Sequence, residues 1–145
     1  MIDKKFIQEK VNLIARDLER LKNYSSFTFD EAAKDFARYA IVKNLLMESI
    51  GRGLDINSHL IAELANSTTD SPKYYRDTFL ALIEFKILPK GFAEKISGSA
   101  GFRNAIVHQY NNLDKQKIFK TIGEAIDQYS KYCQYILDFL TTIED

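Results

Sequence analysis

Four residues whose types suit acid–base and phosphate chemistry lie within one short stretch, GFRNAIVHQY, at residues 101–110: Arg103, Asn104, His108 and Tyr110. Histidine can act as a general acid or base near neutral pH, and arginine presents a planar fork of donors to phosphate oxygens. Cleaving an RNA phosphodiester without a metal requires two proton transfers and stabilisation of a charged phosphorane. The stretch therefore holds the residue types that such a reaction uses.

The spacing of these residues raises a geometric problem. On an ideal helix Asn104 and His108 lie within about 40° of each other, away from the apolar stripe, whereas Arg103 and His108 lie about 140° apart. Either the helix loosens just before the turn-like Asn111-Asn112 pair, or a second copy of the chain supplies the missing partner. A two-fold dimer would place two histidines and two arginines in one cleft. The residues alone leave both alternatives open.

The rest of the chain predicts the scaffold that must position this stretch. With 145 residues and 46% hydrophobic content, residues 1–145 are expected to form one domain with its own core. Apolar residues recur at intervals of three and four, which predicts an all-α antiparallel bundle of about five helices. The predicted helices run from about Asp3 to Lys22, from the capping pair Thr28 and Glu31 to Leu64, from Ser71-Pro72 to about Lys86, from Pro89 to His108, and from about Asp114 to Thr141.

Two glycines are predicted to shape the long second helix. Gly51 and Gly53 each cost about 1 kcal/mol relative to alanine in a helix interior. We therefore expect a bend or a close crossing with another helix at this point.

Composition limits the classes of function. Twenty basic and twenty acidic residues cancel, so a nucleic-acid role would need a local basic patch. Such charges more commonly belong to ordinary solvated helix faces. The candidates for a patch are Arg52, Lys90, Lys95, Arg103, Lys115, Lys117 and Lys120.

The remaining chemically versatile side chains are predicted to be structural. One cysteine and two histidines exclude an internal disulfide and make a structural zinc site improbable. Cys133 reads as a buried thiol, and His59 as structural or exposed. Tyr129, Tyr132 and Tyr135 follow the apolar stripe of the last helix, so packing is favoured over base stacking. No apolar run reaches the length of a signal peptide core or of a membrane span, about 18 residues, and we expect a soluble, cytoplasmic protein.

The motif resembles that of a known family. Arginine, asparagine, three variable residues, histidine, one variable residue and tyrosine occur here as R-N-AIV-H-Q-Y. Together with Phe102 before it, NNLD after it, the IGRGLDINSHLIAEL portion of the second helix and the helix starts at Pro72 and Pro89, this pattern resembles the HepT toxins. These are minimal members of the HEPN superfamily, and the likeness extends over nearly the whole chain.

The resemblance implies a specific activity. It implies a HEPN-like helical domain that forms a homodimer and acts as a metal-independent endoribonuclease toxin, with Arg103 and His108 catalytic, Asn104 supporting and no cofactor. It also implies a partner, an MntA-like minimal nucleotidyltransferase antitoxin that transfers adenylate from ATP to Tyr110. Spacing alone would make Tyr110 a packing residue at a helix end.

Two other functions remain open from the sequence. The chain could be a non-catalytic subunit that binds substrate or nucleotide for a nucleotidyltransferase, as has been suggested for other HEPN relatives. It could also be a helical assembly protein in which the motif is accidental.

Overall fold

The structure, a computed structural model, describes residues 1–26, 28, 30–31, 34–69, 71–108 and 115–143. In this part of the chain the regular elements are five helices, and the predicted all-α bundle is confirmed. The helices are α1 (Lys4–Lys22), α2 (Phe36–Leu64), α3 (Tyr75–Glu84), α4 (Lys90–His108) and α5 (Lys115–Thr141).

Helices α1 and α5 begin and end close to the predicted residues, because each carries a clear amphipathic stripe and a clear start or end. Asp3 caps α1, and its carboxylate accepts a hydrogen bond of 3.0 Å from the backbone N–H of Phe6. Such a cap satisfies one of the N–H groups that the first turn leaves without a helical partner. The buried stripe of α1 packs against both α2 and α5.

The stretch predicted as one helix from the Thr28 cap to Leu64 is interrupted: Asp30 and Glu31 are helical, whereas Lys34 and Asp35 are not. The capping pair does form, since the backbone N–H of Glu31 donates to Thr28 Oγ1 at 3.2 Å. The long helix nevertheless begins only at Phe36, where the Asp35 carboxylate accepts hydrogen bonds from the backbone N–H groups of Ala37 and Arg38. Aspartate is as good a cap as threonine or better, and Asp35 lies directly before the helical stripe.

The predicted start of α3 at Ser71-Pro72 is also wrong. The helix begins at Tyr75, with Tyr74 as its N-cap residue. The Asp77 carboxylate accepts a hydrogen bond of 3.2 Å from the Tyr74 backbone N–H. This reciprocal contact fixes the helix start three residues later, and Pro72 instead belongs to the approach to the helix.

A tight turn joins α3 to α4 and so sets the direction of the helix that carries the motif. Lys86 adopts a φ of 59° there, a left-handed conformation that ends the helix. The backbone N–H of Ile87 returns to the carbonyl of Leu82 at 3.0 Å, and α4 follows directly after Pro89.

Helix α2 is the centre of the bundle and packs against each of the other four helices. It remains helical through both glycines. A methyl group built on Gly53 would lie 2.9 Å from Cε1 of Tyr129 and 3.6 Å from Cε1 of Tyr132, and both tyrosines are fully buried. The predicted close crossing is therefore confirmed, and it occurs between α2 and α5.

The structural roles predicted for three side chains are confirmed. Nε2 of His59 accepts a hydrogen bond of 3.0 Å from the backbone N–H of Asp3, and its ring packs against Phe6. Cys133 is buried, and burial raises the pKa of its thiol to about 12. Tyr135 packs against Phe92 with 5.0 Å between ring centroids.

Candidate active site

Helix α4 carries the sequence motif and ends the described part of this region. It is helical through Val107 and His108, so it does not loosen before His108. Residues 109–114, which include Tyr110, Asn111 and Asn112, lie outside the described residues. The prediction that Tyr110 is a modification site therefore falls outside the described structure.

Arg103 lies where α4 faces α2, and part of its side chain is shielded from solvent. Its side chain is half-buried and passes across α2 at Gly51. A methyl group built on Gly51 would lie 3.3 Å from Arg103 Nε, 3.7 Å from one terminal nitrogen and 3.8 Å from Cζ. Glycine at this position therefore lets the guanidinium lie against the α2 backbone, a positioning role that the sequence reading missed. Its only sequence signal was the pair of glycines two residues apart in a helix interior.

The guanidinium of Arg103 retains unused donor capacity. Its Nε is buried and has no hydrogen-bond partner among the residues that the structure describes, and no carboxylate among them forms an ion pair with it. A buried donor without a partner costs about 1–3 kcal/mol. An anionic ligand that accepted from this donor would recover that cost.

Arg52 shows the opposite environment. Its guanidinium bonds to the carboxylate of Asp17, which is only 2% exposed, and lies 3.5 Å from the carboxylate of Glu48. Arg52 is thus held by intramolecular ion pairs. This geometry does not support Arg52 as a member of the candidate basic patch.

A neutral tyrosine lies near Arg103. Tyr129 is fully buried, and its hydroxyl lies 2.7 Å from Ser99 Oγ, which itself donates to the Ile96 carbonyl. Burial raises the pKa of Tyr129 far above its usual value, although the Ser99 hydrogen bond and the positive charge of Arg103 oppose that rise. The phenol therefore carries no negative charge that could neutralise Arg103.

Asn104 and His108 lie on the solvent side of α4, as the helical spacing predicts. Both are exposed, and neighbouring Val107 is 44% exposed. Asn104 lines a groove of about 880 Å³ formed by residues of α2, the start of α3, and α4. Because α4 stays regular, Arg103 and His108 remain about 140° apart around its axis. A single chain, as far as the structure describes it, does not bring the two side chains to one point.

Among the residues that the structure describes, no helix combines the length and the apolar character needed to cross a bilayer. These residues also contain no cluster of three or more histidine, cysteine, aspartate or glutamate side chains suited to holding a metal ion.

Comparisons with known proteins agree on the family. Residues 14–136 match the family model described as ribonuclease HepT-like. The tRNA nuclease HepT of Aphanizomenon flos-aquae is 31% identical over 146 residues, an alignment that covers 99% of this chain and 96% of the relative.

Solved structures show the same fold at lower identity. The tri-AMPylated HEPN toxin of Shewanella oneidensis, in complex with an MNT antitoxin, superposes with a TM-score of 0.79 at 18% identity and covers 94% of this chain and 99% of that chain. YutE, a cytosolic protein of unknown function from Bacillus subtilis, superposes with a TM-score of 0.82 at 16% identity. The superposition covers 97% of this chain and 92% of that chain. The family match over residues 14–136 and the relative that is 31% identical together identify this chain as a member of the HepT-like ribonuclease family.

Proposed function

We propose that this chain is the ribonuclease toxin of a toxin–antitoxin pair and cleaves RNA without a metal ion. The observation that carries the proposal is the environment of Arg103: its buried Nε donor, held against Gly51, has no partner among the residues that the structure describes. The name of the 31% identical relative, tRNA nuclease HepT, supports RNA as the substrate and transfer RNA as its first candidate.

Each residue of the motif has a role in this proposal. The guanidinium of Arg103 binds the phosphate oxygens and stabilises the charge that develops on them. His108 transfers a proton, either from the 2′-hydroxyl or to the leaving 5′-oxygen. Asn104 supports the bound substrate from the adjoining groove. Since the reaction needs two proton transfers and each chain has one histidine in the motif, we propose that two copies share one cleft.

The exposed face of α4 supports such a dimer. Gly98 and Gly101 lie in the helix interior, yet a methyl group on either would meet nothing within 4 Å. Packing among the described residues therefore does not account for these two glycines, which each cost about 1 kcal/mol relative to alanine. A second copy on this face would account for them, and it would bring a second His108 close to the first, because His108 lies only about 20° from Gly101 around the helix axis.

Metal independence gives the first prediction. Purified protein incubated with transfer RNA and excess EDTA is expected to cleave it and to leave a cyclic phosphate or a 3′-phosphate, because attack by the 2′-hydroxyl produces those ends. The check is end-group analysis of the fragments by mass spectrometry, with and without added Mg²⁺. Activity that is absent in EDTA and returns with Mg²⁺ would contradict the proposal.

The second prediction concerns control by a nucleotidyltransferase antitoxin. One solved toxin of this fold is AMPylated and bound to an MNT antitoxin, and Tyr110 follows His108 by two residues. Adenylates on Tyr110 would add phosphate charge and bulk where RNA must bind. Co-expression with a nucleotidyltransferase antitoxin of the MNT type is expected to raise the intact mass by whole adenylyl units that map to Tyr110.

The variant Tyr110→Phe separates this site from others. It is expected to leave cleavage intact and to abolish neutralisation by the active antitoxin. Adenylylation that maps to another residue, or neutralisation that persists through the partner's catalytic activity, would refute Tyr110 as the site. Intact RNA together with stable co-purification of the two proteins would favour the alternative role, a non-catalytic binding subunit.

A further inference from the structure

Two adjacent tyrosines at the start of α3 are unusually exposed. Tyr74 is 65% and Tyr75 is 59% exposed, although large aromatic side chains gain most from burial. Both line the groove of about 880 Å³ that also contains Asn104. The groove thus adjoins α4, the helix that carries the motif, but Arg103 is not one of its lining residues.

The groove has the charge and shape expected for a polyanion with flat rings. Among the described residues that line it, the charged side chains are Lys73 and Arg76, and both are positive. Nε of Arg76 also lies 3.9 Å from the carboxylate of Asp77. Small residues of α4, Ala100 and Gly101, contribute to the lining beside Asn104. An aromatic surface flanked by cations, with space above it, is the usual composition of a single-stranded nucleic-acid site.

Arg76 also acts on Tyr74 directly. Its guanidinium carbon lies 5.7 Å from the centroid of the Tyr74 ring, within the range of a cation–π contact. The contact places a positive charge at the ring while most of the tyrosine remains in solvent. A base stacked on this ring would have its flanking phosphate within reach of a cation.

A buried chain of hydrogen bonds fixes the backbone that carries the tyrosines. The Tyr132 hydroxyl donates to Asn57 Oδ1 at 2.5 Å, and Asn57 Nδ2 donates to Thr78 Oγ1 at 3.1 Å. Thr78 Oγ1 donates in turn to the Tyr75 carbonyl at 2.6 Å. The chain links α5 through α2 to the first turn of α3. The aromatic surface is therefore preorganised, so a ligand need not spend binding energy on ordering the backbone.

We propose that this groove binds an unpaired base of the RNA substrate next to the cleaved phosphate, stacked on Tyr74 and Tyr75. Lys73 and Arg76 contact the flanking phosphates, and the Asn104 amide contacts the edge of the base and connects the groove to the motif. This inference rests on the proposed ribonuclease function and adds a substrate subsite to it. It also explains why Asn104, which lies about 100° from Arg103 around the axis of α4, belongs to the same substrate path.

The test uses RNA that binds but cannot react. A short single-stranded oligonucleotide with 2′-O-methyl groups lacks the attacking hydroxyl, and a 2-aminopurine base within it loses fluorescence when it stacks. Tyr74→Ala and Tyr75→Ala are each expected to weaken binding about tenfold, the order of magnitude for loss of one stacking partner, and the double variant is expected to lose the quench. Tyr74→Phe should bind as the unchanged chain does.

Phe36→Ala is the matched control, because Phe36 is 74% exposed at the start of α2 and does not line the groove. It should leave affinity and quench unchanged. Equal affinity and quench in the double tyrosine variant would overturn the subsite. So would loss of the dimer, or loss of antitoxin binding with RNA affinity unchanged, since either would make the groove a protein interface. Cleavage of unmodified RNA, measured on the same preparations, decides the proposed function separately: active tyrosine variants with undiminished RNA affinity would refute the subsite alone.

Discussion

Changing His108 to alanine is expected to lower the rate of RNA cleavage by about 10²- to 10⁴-fold, the usual loss on removal of one general acid or base. His108 is exposed, so the free energy of unfolding should change by no more than about 0.5 kcal/mol. The measurements are the cleavage rate at saturating RNA and a urea unfolding curve. The chain's other histidine provides the control: His59→Gln, which removes an imidazole bonded to Asp3, should leave the rate within about twofold of the unchanged chain's, since surface changes away from a site act weakly.

Arg103 should be equally necessary, and lysine should not replace it. Arg103→Lys keeps the positive charge but loses the planar fork that grips two phosphate oxygens, so cleavage is expected to remain strongly impaired. Arg103→Ala should be at least as poor. Cleavage undiminished in His108→Ala and in Arg103→Ala would refute the assignment of the site.

Mixing the two inactive variants tests where the complete site is built. If two copies share one cleft, a mixed dimer of His108→Ala and Arg103→Ala chains holds one intact histidine and one intact arginine in that cleft. Partial return of cleavage on mixing would then be expected. If one chain completes the site alone, mixing should restore nothing.

The second large effect concerns the two glycines of α2. Gly53→Ala is expected to lower the free energy of unfolding by about 1–3 kcal/mol, the cost of overpacking a core, because its methyl group would lie 2.9 Å from the buried ring of Tyr129. Gly51→Ala is the matched variant two residues earlier. The three atoms nearest to its methyl group would all belong to the end of the Arg103 side chain, the first at 3.3 Å, and alanine gains about 1 kcal/mol of helix propensity.

The two variants should therefore separate stability from activity. Gly51→Ala is expected to unfold at the same urea concentration as the unchanged chain or a higher one, yet to cleave RNA more slowly because the guanidinium of Arg103 is displaced. Gly53→Ala should unfold at a lower urea concentration than the unchanged chain. Its cleavage activity, once corrected for the fraction of folded protein, should be largely retained. Equal unfolding curves for the two variants, or full activity in Gly51→Ala, would contradict these assignments.

The fold was largely predictable from the sequence, and its errors have specific causes. Helices α1 and α5 follow one apolar stripe each, so periodicity located them. The starts of α2 and α3 were predicted too early. In each case a helix-start signal, Thr28 for α2 and Pro72 for α3, precedes a stronger cap. Asp35 and the Tyr74–Asp77 pair determine where those helices begin.

The site was predictable only in part. The spacing of the motif correctly placed Asn104 and His108 on the exposed side of α4. It gave no indication that Arg103 would lie against Gly51, because that contact joins two helices and depends on how they cross. The groove beside Tyr74 was missed for the same reason, since its walls come from three segments that are far apart in the sequence.

The contact between Gly51 and Arg103 has a consequence for genetics. If the chain is a toxin, survivors of its overexpression will carry inactivating mutations, and most such mutations in a small helical protein act by unfolding it. Substitutions at Gly51 should form a separate group: full-length, folded protein with an intact motif that no longer harms the cell. A screen that sequenced only the motif would score these survivors as unexplained, and their location on α2 would reveal which helix holds the arginine in place.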